Sequence, residues 1–533
     1  MKRFFIIFSI LIIMPPVYGQ TTLVWSKEYT ASLSQYYSES PLIQAFADTI
    51  QVIGRINTAD GQRLSIVKYN LKGDTISTIM YGKDSVSHNS IIDYTFDKTN
   101  HVYILNKEYL GFYKSKTVLQ KYSLDGTLIW LEQIQHFADT SYTPYSLALI
   151  NDTGVFFTGY KEYNYPIPGS DVIFTTTISQ LYAYSSTGTP LWKRDFNPKT
   201  EIKYFAHDIF VYNNTLYLFA ENYTFFTPLV KVDLNNNLSI YTNTGLEYGI
   251  NDVELTPDNN LLITARIRPR ITKINLNGSL IWTRQFISNL PPNHTGDEMV
   301  STIQDSVGNI YITGRHYGLN LGTPKYTNAD ILTLKYDKNG SLIWHNRYEY
   351  LVDNADIGNT IVLKNGQLYV GGQSQHMGIE TGYDYVVIKI DSATGVTNGV
   401  YRYNGSTNGD DAISSVFVFD NGNVALTGLS YTNGHYDWTT QLLSGVRLKN
   451  KTIGRENQIQ VYPNPAISGK QITIVGNELK TYTIFSTTGQ VIQQGQFRIN
   501  GIQSIRLDNF STGIYLLFLT TDNGILTTKI VVR

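Results

Sequence analysis

A pattern of recurring phrases limits the possible folds of this chain more than any other feature. One phrase is a turn followed by alternating apolar and polar residues, and its clearest copy is D-S-V-G-N-I-Y-I-T-G at residues 305–314. Another is a strand, an Asn-Gly or Asp-Gly turn and a tryptophan, as in residues 333–344. Alternation predicts strands with two different faces, and these turns predict hairpins because both turn residues accept positive φ. Each unit is therefore predicted to be a four-stranded antiparallel sheet.

The units are predicted to begin near Ile43, Ile91, Tyr145, Phe205, Ile250, Val300, Ile357 and Ile413. Four-stranded repeats of roughly 40–50 residues are typical of β-propeller blades. The last unit lacks its tryptophan strand, but residues 23–29 (L-V-W-S-K-E-Y) match that strand of another unit, residues 342–348 (L-I-W-H-N-R-Y). The N-terminal strand would complete the last sheet and remove an exposed edge.

The predicted fold is all-β, with an eight-bladed propeller followed by a small Ig-like β-sandwich. A seven-bladed propeller is the alternative, because the unit at residues 205–245 lacks its tryptophan. Five of the six tryptophans occupy one repeat position, which predicts a packing role for them. The body resembles a bacterial β-propeller repeat family whose units read D-x-x-G-N-x-Y-x-T-G, and the match is best over residues 296–428.

Both ends of the chain carry features of targeting signals. Residues 1–19 read as a signal peptide, with Lys2 and Arg3 before an apolar run that is too short to span a membrane. The propeller is predicted to occupy residues 20–448, with no transmembrane segment in the mature chain. A polar linker at 449–458 precedes a C-terminal domain at 459–533, whose short alternating runs predict the β-sandwich.

The C-terminal domain resembles the type A C-terminal sorting domain of the type IX secretion system of Bacteroidota. The residues that carry the resemblance are Tyr462, Pro463, Asn464 and Pro465, Gly489 at the end of a turn, Gly513 and Tyr515 in S-T-G-I-Y, and Lys529 in the terminal K-I-V-V-R. The resemblance implies export to the periplasm and then outer-membrane passage through the type IX secretion machinery. It also implies removal of the domain, followed by release of the protein or its attachment to surface lipopolysaccharide. The expected location is therefore secreted or on the outer cell surface.

Composition and motifs argue against several functional classes. The net charge of −1 gives no electrostatic basis for binding nucleic acid. With no cysteine, the fold is held together without disulfides. The sequence contains no H-E-x-x-H zinc motif, phosphate loop or G-x-S-x-G nucleophile. No catalytic residue and no cofactor are predicted, and the presence of a structural cation is left open.

An acidic residue recurs just before the first predicted strand of successive units: Asp208, Asp252, Asp297, Asp356 and Asp411. We expect these carboxylates at equivalent places on the rim of the central channel, where they could bind a cation or a basic ligand. The alternative is that each accepts hydrogen bonds from turn amides at a blade junction.

The sequence favours a secreted binding or scaffold module with an unidentified glycan or protein ligand. The alternative is a secreted propeller enzyme that acts on glycans. A channel lined by acids, tyrosines and an arginine cluster would favour the enzyme, whereas ordinary packing residues would favour binding.

Overall fold

The computed structural model consists of β-strands and connections, and the prediction of an all-β fold is confirmed. It describes residues 23–29, 40–46, 48–58, 61–82, 89–111, 114–135, 140–150, 154–166, 173–196, 204–222, 229–233, 238–241, 250–265, 270–286, 298–319, 326–350, 354–375, 382–405, 409–432, 434–444, 460–476, 479–486, 490–497, 501–508, 510–521 and 524–533. No helix in these ranges could span a membrane. The predicted signal peptide (1–19) and linker (449–458) lie outside them. The chain divides into two compact units, Met1–Val446 and Arg447–Arg533.

Within the described residues, the first unit contains eight four-stranded antiparallel sheets. One strand precedes the first sheet, β1 (Leu23–Tyr29). Sheet 1 comprises β2 (Leu42–Ala45), β3 (Thr49–Thr58), β4 (Gly61–Asn70) and β5 (Thr75–Tyr81). Sheet 2 comprises β6 (Asn89–Phe96), β7 (Val102–Gly111), β8 (Lys114–Tyr122) and β9 (Leu128–Gln135). Sheet 3 comprises β10 (Thr140–Ile150), β11 (Gly154–Pro166), β12 (Ile173–Ser185) and β13 (Pro190–Phe196). Sheet 4 comprises β14 (Tyr204–Tyr212), β15 (Thr215–Asn222), β16 (Leu229–Asp233) and β17 (Leu238–Tyr241).

The remaining sheets repeat this meander. Sheet 5 comprises β18 (Ile250–Leu255), β19 (Leu261–Ala265), β20 (Arg270–Ile274) and β21 (Leu280–Gln285). Sheet 6 comprises β22 (Glu298–Gln304), β23 (Ile310–Leu319), β24 (Tyr326–Tyr336) and β25 (Leu342–Tyr348). Sheet 7 comprises β26 (Asp356–Lys364), β27 (Gln367–Gln375), β28 (Tyr383–Asp391) and β29 (Thr397–Tyr403). Sheet 8 comprises β30 (Asp411–Val418), β31 (Val424–Thr432) and β32 (His435–Leu443), with β1 as its fourth strand.

The apolar core of the first unit lies between the sheets. Each sheet packs its apolar side chains against the next sheet in chain order, and a separate buried cluster fills each of these interfaces. Sheet 8 packs against sheet 1 in the same way, through residues such as Ile50, Val52, Trp438 and Leu442. The series of packed sheets therefore has no free end.

The strand β1 is added to sheet 8 from the opposite end of the sequence. It pairs antiparallel with β32, from Leu23 opposite Leu443 to Tyr29 opposite Trp438. This is the pairing that the repeated tryptophan motif predicts. The unit without a tryptophan, at residues 205–245, forms sheet 4 with four strands like the others.

The repeated tryptophans join neighbouring sheets. The indole Nε1 of Trp25 donates to the carbonyl of Leu71 at 3.0 Å, and Trp344 makes the same contact with Ser392 at 3.2 Å. In both cases the acceptor lies in the turn between the third and fourth strands of the next sheet. A Cβ on Gly395 in that turn, where φ is +74°, would come 2.7 Å from the Trp344 ring. These contacts explain both the tryptophan and the turn glycine of the repeat.

The second unit has two sheets around one core. Its strands are β33 (Gln460–Tyr462), β34 (Gln471–Gly476), β35 (Thr481–Ser486), β36 (Val491–Gln496), β37 (Gly501–Arg506), β38 (Gly513–Thr521) and β39 (Gly524–Val532). One sheet has the order β33-β34-β37 and the other β36-β35-β38-β39. Buried residues from both sheets, including Ile472, Ile484, Leu517 and Ile530, form the core.

Candidate functional site

The first strands of successive sheets share an irregularity that shapes the candidate site. In seven of the eight sheets, the pairing of the first and second strands skips one residue of the first strand. Such a bulge leaves one residue unpaired and redirects its side chain. In sheets 6, 7 and 8 the skipped residues are Val300, Asn359 and Ser414.

These three bulged residues line one cleft of about 610 Å³. The lining also includes Ser40, Gln373, Tyr383, Asp410, Ala412, Ile413, Leu429 and Tyr436. It therefore combines the first strands of sheets 6, 7 and 8 with later strands of sheets 7 and 8 and with Ser40, which lies shortly before sheet 1. The cleft lies where the first strands of consecutive sheets converge.

Hydrogen bonds fix several polar groups of the cleft. The Asp410 carboxylate accepts from the amide N–H of Tyr383 at 3.1 Å. The Asn359 Nδ2 donates to the carbonyl of Ile413 at 3.0 Å, which ties sheet 7 to sheet 8. The ring of Tyr436 packs edge-on against Tyr431, with their centroids 5.1 Å apart. The cleft thus has an ordered wall of amide, hydroxyl and aromatic groups.

The chemistry of this lining suits an uncharged ligand rich in hydrogen-bonding groups. Among the described residues that line the cleft, Asp410 alone is charged. Asparagine, glutamine, serine and tyrosine side chains both donate and accept hydrogen bonds, as hydroxyl groups do. Tyrosine adds an apolar ring face beside its polar tip. The described lining contains no arginine, so it lacks the arginine cluster expected of a glycan-cleaving channel.

The recurring acids occupy two different positions rather than one. Asp208 and Asp252 are the first paired residues after the bulge of their strands. Asp356 and Asp411 come before the bulge and are the first residues of β26 and β30. Asp297 and the side chain of Asp208 lie outside the described residues. The structure therefore corrects the expectation of equivalent places, because the bulge separates two groups that look alike in the sequence.

Asp356 is fully buried and accepts hydrogen bonds at a sheet junction. The amide N–H of Tyr350, in the segment that leads into sheet 7, donates to its Oδ2 at 2.9 Å. The Ser374 hydroxyl donates to Oδ1 and also contacts the guanidinium of Arg402. The same guanidinium donates to Asp384 at 2.9 Å. Burial raises the pKa of Asp356 to about 6, although these hydrogen bonds lower it in part.

Asp411 repeats this arrangement in sheet 8. It is fully buried, accepts from the amide of Gly405 at 2.6 Å and accepts from the Ser430 hydroxyl. Burial raises the pKa of Asp411 to about 6 as well. Both acids therefore make the junction contacts that the alternative interpretation describes. The described residues include no group of three or more His, Cys, Asp or Glu side chains that could hold a metal ion. Binding of a cation or basic ligand by these acids stays a prediction.

The C-terminal unit has a second set of predicted functional residues. The Asn464 amide donates to the carbonyl of Lys529 at 2.7 Å and accepts from the amide of Val531 at 2.9 Å. Its side chain thus substitutes for a peptide group and attaches the start of the unit to its last strand. Tyr515 is buried and donates its hydroxyl hydrogen to the carbonyl of Ser511 at 2.9 Å.

Most of the other predicted residues of this unit follow β33 or lie on β38 and β39. Pro463, Pro465 and the Lys529 side chain are exposed, and Gly513 begins β38. Gly489 and the side chain of Tyr462 lie outside the described residues.

Comparison with known protein families identifies this unit. Residues 460–533 match the family model of the secretion system C-terminal sorting domain. They are a type IX secretion system sorting domain. This domain directs export, so the protein is secreted or attached to the outer cell surface, and the type IX secretion machinery is its partner.

The chain also has partial or distant similarities to individual proteins. A stretch of 91 residues is 28% identical to the ulvan lyase NLR42 of Nonlabens ulvanivorans, and it spans 16% of this chain and 17% of that protein. The quinohemoprotein alcohol dehydrogenase ADHIIG of Pseudomonas putida HK5 aligns with 81% of this chain and 78% of its own length, at 10% identity and a TM-score of 0.47. The polysaccharide lyase Uly1 aligns with 76% of this chain and 89% of its own, at 10% identity and a TM-score of 0.37. At these TM-scores, neither structural likeness carries an argument about function.

Sequence reasoning missed the cleft. Its tyrosines, Tyr383 and Tyr436, belong to different sheets and to no recurring phrase. Only the bulge brings Val300, Asn359 and Ser414 toward a common space, and a single skipped residue leaves no local signal in the sequence.

Proposed function

We propose that residues 23–443 form an eight-bladed β-propeller that serves as a secreted or surface-attached binding or scaffold module. Three observations support the propeller: eight four-stranded sheets, apolar packing of each sheet on the next, and packing of the last sheet on the first. Because β1 pairs with β32 as the fourth strand of sheet 8, that edge of β32 is covered and such a ring is closed.

The cleft is the observation that carries the binding function. In a propeller, the first strand of each blade is the innermost, so a cleft that includes residues of three consecutive first strands would open at the central channel. Its size is in the usual range of ligand pockets, and it combines aromatic groups with a few ordered polar groups. We propose a glycan as the ligand, because amide, hydroxyl and tyrosine side chains match its hydroxyl groups and apolar ring faces.

A secreted enzyme acting on glycans is the second candidate, and the partial similarity to an ulvan lyase favours it. Two features argue against it. Asp356 and Asp411, whose raised pKa values would suit an acid catalyst, are fully buried and bonded at sheet junctions. Asp410 is the exposed acid of the cleft, and the described lining offers no second acid, base or arginine beside it.

A glycan array probed with the purified mature protein tests the proposal. We expect selective binding, and we expect Tyr436→Ala and Asp410→Asn to weaken it by about tenfold or more, as for central residues of a binding site. Tyr109→Ala is the matched control, since Tyr109 is half exposed on β7 and outside the lining of the cleft.

Binding that is unchanged in both cleft variants would refute the assignment of the site. Shortening of the bound glycan over time, abolished by Asp410→Asn, would replace the binding function by the enzymatic one. If the ligand is bound by the buried acids instead, Asp356→Asn should abolish its binding without a change in the melting temperature of the protein.

A further inference from the structure

The sorting domain has an unusual outward surface on its four-stranded sheet. Along β38, Tyr515, Leu517 and Leu519 point into the core, as expected for alternation. The residues between them are also apolar: Ile514 is 46% exposed and Leu516 is 42% exposed. The outward face of a two-layer antiparallel sheet is normally polar. This sheet is therefore apolar on both faces.

The strand register makes these side chains one continuous surface. Leu516 lies opposite Phe485 of β35, and Phe485 lies opposite Val491 of β36. The ring of Phe485 contacts that of Phe518 edge-on, with their centroids 5.0 Å apart. Together with Ile514, these residues form what we call the outer apolar face, defined as Phe485, Val491, Ile514, Leu516 and Phe518.

The opposite sheet of the same domain has the ordinary pattern. On β34 and β37 the core residues Ile472, Ile474 and Ile505 alternate with Gln471, Ser504 and Arg506, which are exposed. The two outward surfaces of the domain therefore differ, one polar and one apolar. Contiguous exposed apolar surface of this kind marks an interaction site.

The edge of the outer apolar face carries a positive charge. Lys529 lies directly opposite Leu516 on β39 and is exposed. Asn464 holds this part of β39 in place by bonding the carbonyl of Lys529 and the amide of Val531. A partner that covers Leu516 would thus meet the ammonium group of a lysine on a fixed strand.

We infer that the outer apolar face is the surface by which a protein of the type IX secretion machinery binds this domain. The occupant is the machinery because recognition by it is the function of a sorting domain, and the other sheet exposes polar groups. The matching surface is an apolar patch or groove with a carboxylate placed to meet Lys529. This assignment concerns the sorting domain alone and does not depend on the ligand of the propeller.

The test is export of the full chain in a bacterium with an active type IX system. We expect Leu516→Lys to reduce the exported fraction by about tenfold or more, with accumulation in the periplasm, because burying a charge in an apolar contact is unfavourable. Leu516→Thr removes apolar surface but places a residue that favours strands at this position, so it should also reduce the exported fraction, by less than Leu516→Lys does. Ser504→Lys adds the same charge to the polar sheet and should be exported like the wild type.

Export of both Leu516 variants at the wild-type level would overturn the inference. A second result would also overturn it: the purified wild-type protein dimerises, whereas the Leu516→Lys protein is monomeric and is exported normally. The outer apolar face would then serve self-association. If the Leu516→Thr protein is not exported and also shows no cooperative thermal unfolding, the outer apolar face is covered by another part of the chain. That result also contradicts the inference.

Discussion

Replacing Trp25 by alanine tests whether β1 holds the first unit closed. Trp25 is 9% exposed, donates to the carbonyl of Leu71 at 3.0 Å and packs against Tyr69, with ring centroids 5.7 Å apart. Truncating a buried tryptophan costs about 3–5 kcal/mol, and the lost hydrogen bond is worth about 1 kcal/mol within that total. We therefore expect Trp25→Ala to lower the free energy of unfolding by about 4 kcal/mol.

The assay is urea denaturation followed by far-ultraviolet circular dichroism, with Trp344→Ala as the matched variant. Trp344 makes the same contact between sheets 6 and 7, which do not contain β1. Its replacement should lower the free energy of unfolding by a similar amount. If Trp25→Ala cost less than about 1 kcal/mol while Trp344→Ala cost several, β1 would not contribute to the closed series and the reasoning would be wrong.

Three further predictions concern single positions. Since burial raises the pKa of Asp356 from 3.8 to about 6, the folded protein binds more protons than the unfolded chain between these values. Stability should therefore fall as the pH rises through that window, and Asp356→Asn should flatten this part of the profile in denaturation series at several pH values. Gly395→Ala should destabilise by about 1–3 kcal/mol more than Gly366→Ala in urea titrations, because both have positive φ but only Gly395 faces the Trp344 ring. Asn464→Ala removes two hydrogen bonds to β39 and should cost about 1–2 kcal/mol, with faster hydrogen exchange at the Val531 amide; unchanged exchange would contradict the attachment.

The sheets of the first unit could be predicted because their determinants are local. A turn such as 337–341 forms from its own residues, with the Asp337 carboxylate accepting from the amides of Asn339 and Ser341. The tryptophan motif at 23–29 also predicted the partner of the last sheet, since the repeat specifies which strand is missing. Residue types at fixed spacing are sufficient for both inferences.

The positions of the acids and the cleft depend on features beyond local sequence. Asp252 and Asp356 look alike in their phrases, yet one follows a bulge and the other precedes it. Tyr436 reaches the cleft only because sheets 6, 7, 8 and 1 converge there. A skipped residue and a convergence of sheets are tertiary properties, so they could not be derived from the repeat.

The pairing of β1 with β32 predicts that sheet 8 is completed late in folding. Leu23 and its partner Leu443 are about 420 residues apart, so the last sheet is completed only after nearly the whole body is available. Contacts of such long sequence separation are slow to form, because closing the loop costs entropy before the contact stabilises anything. Until then the free edge of β32 stays unpaired. We therefore expect the body to remain incompletely folded until β32 has been synthesised.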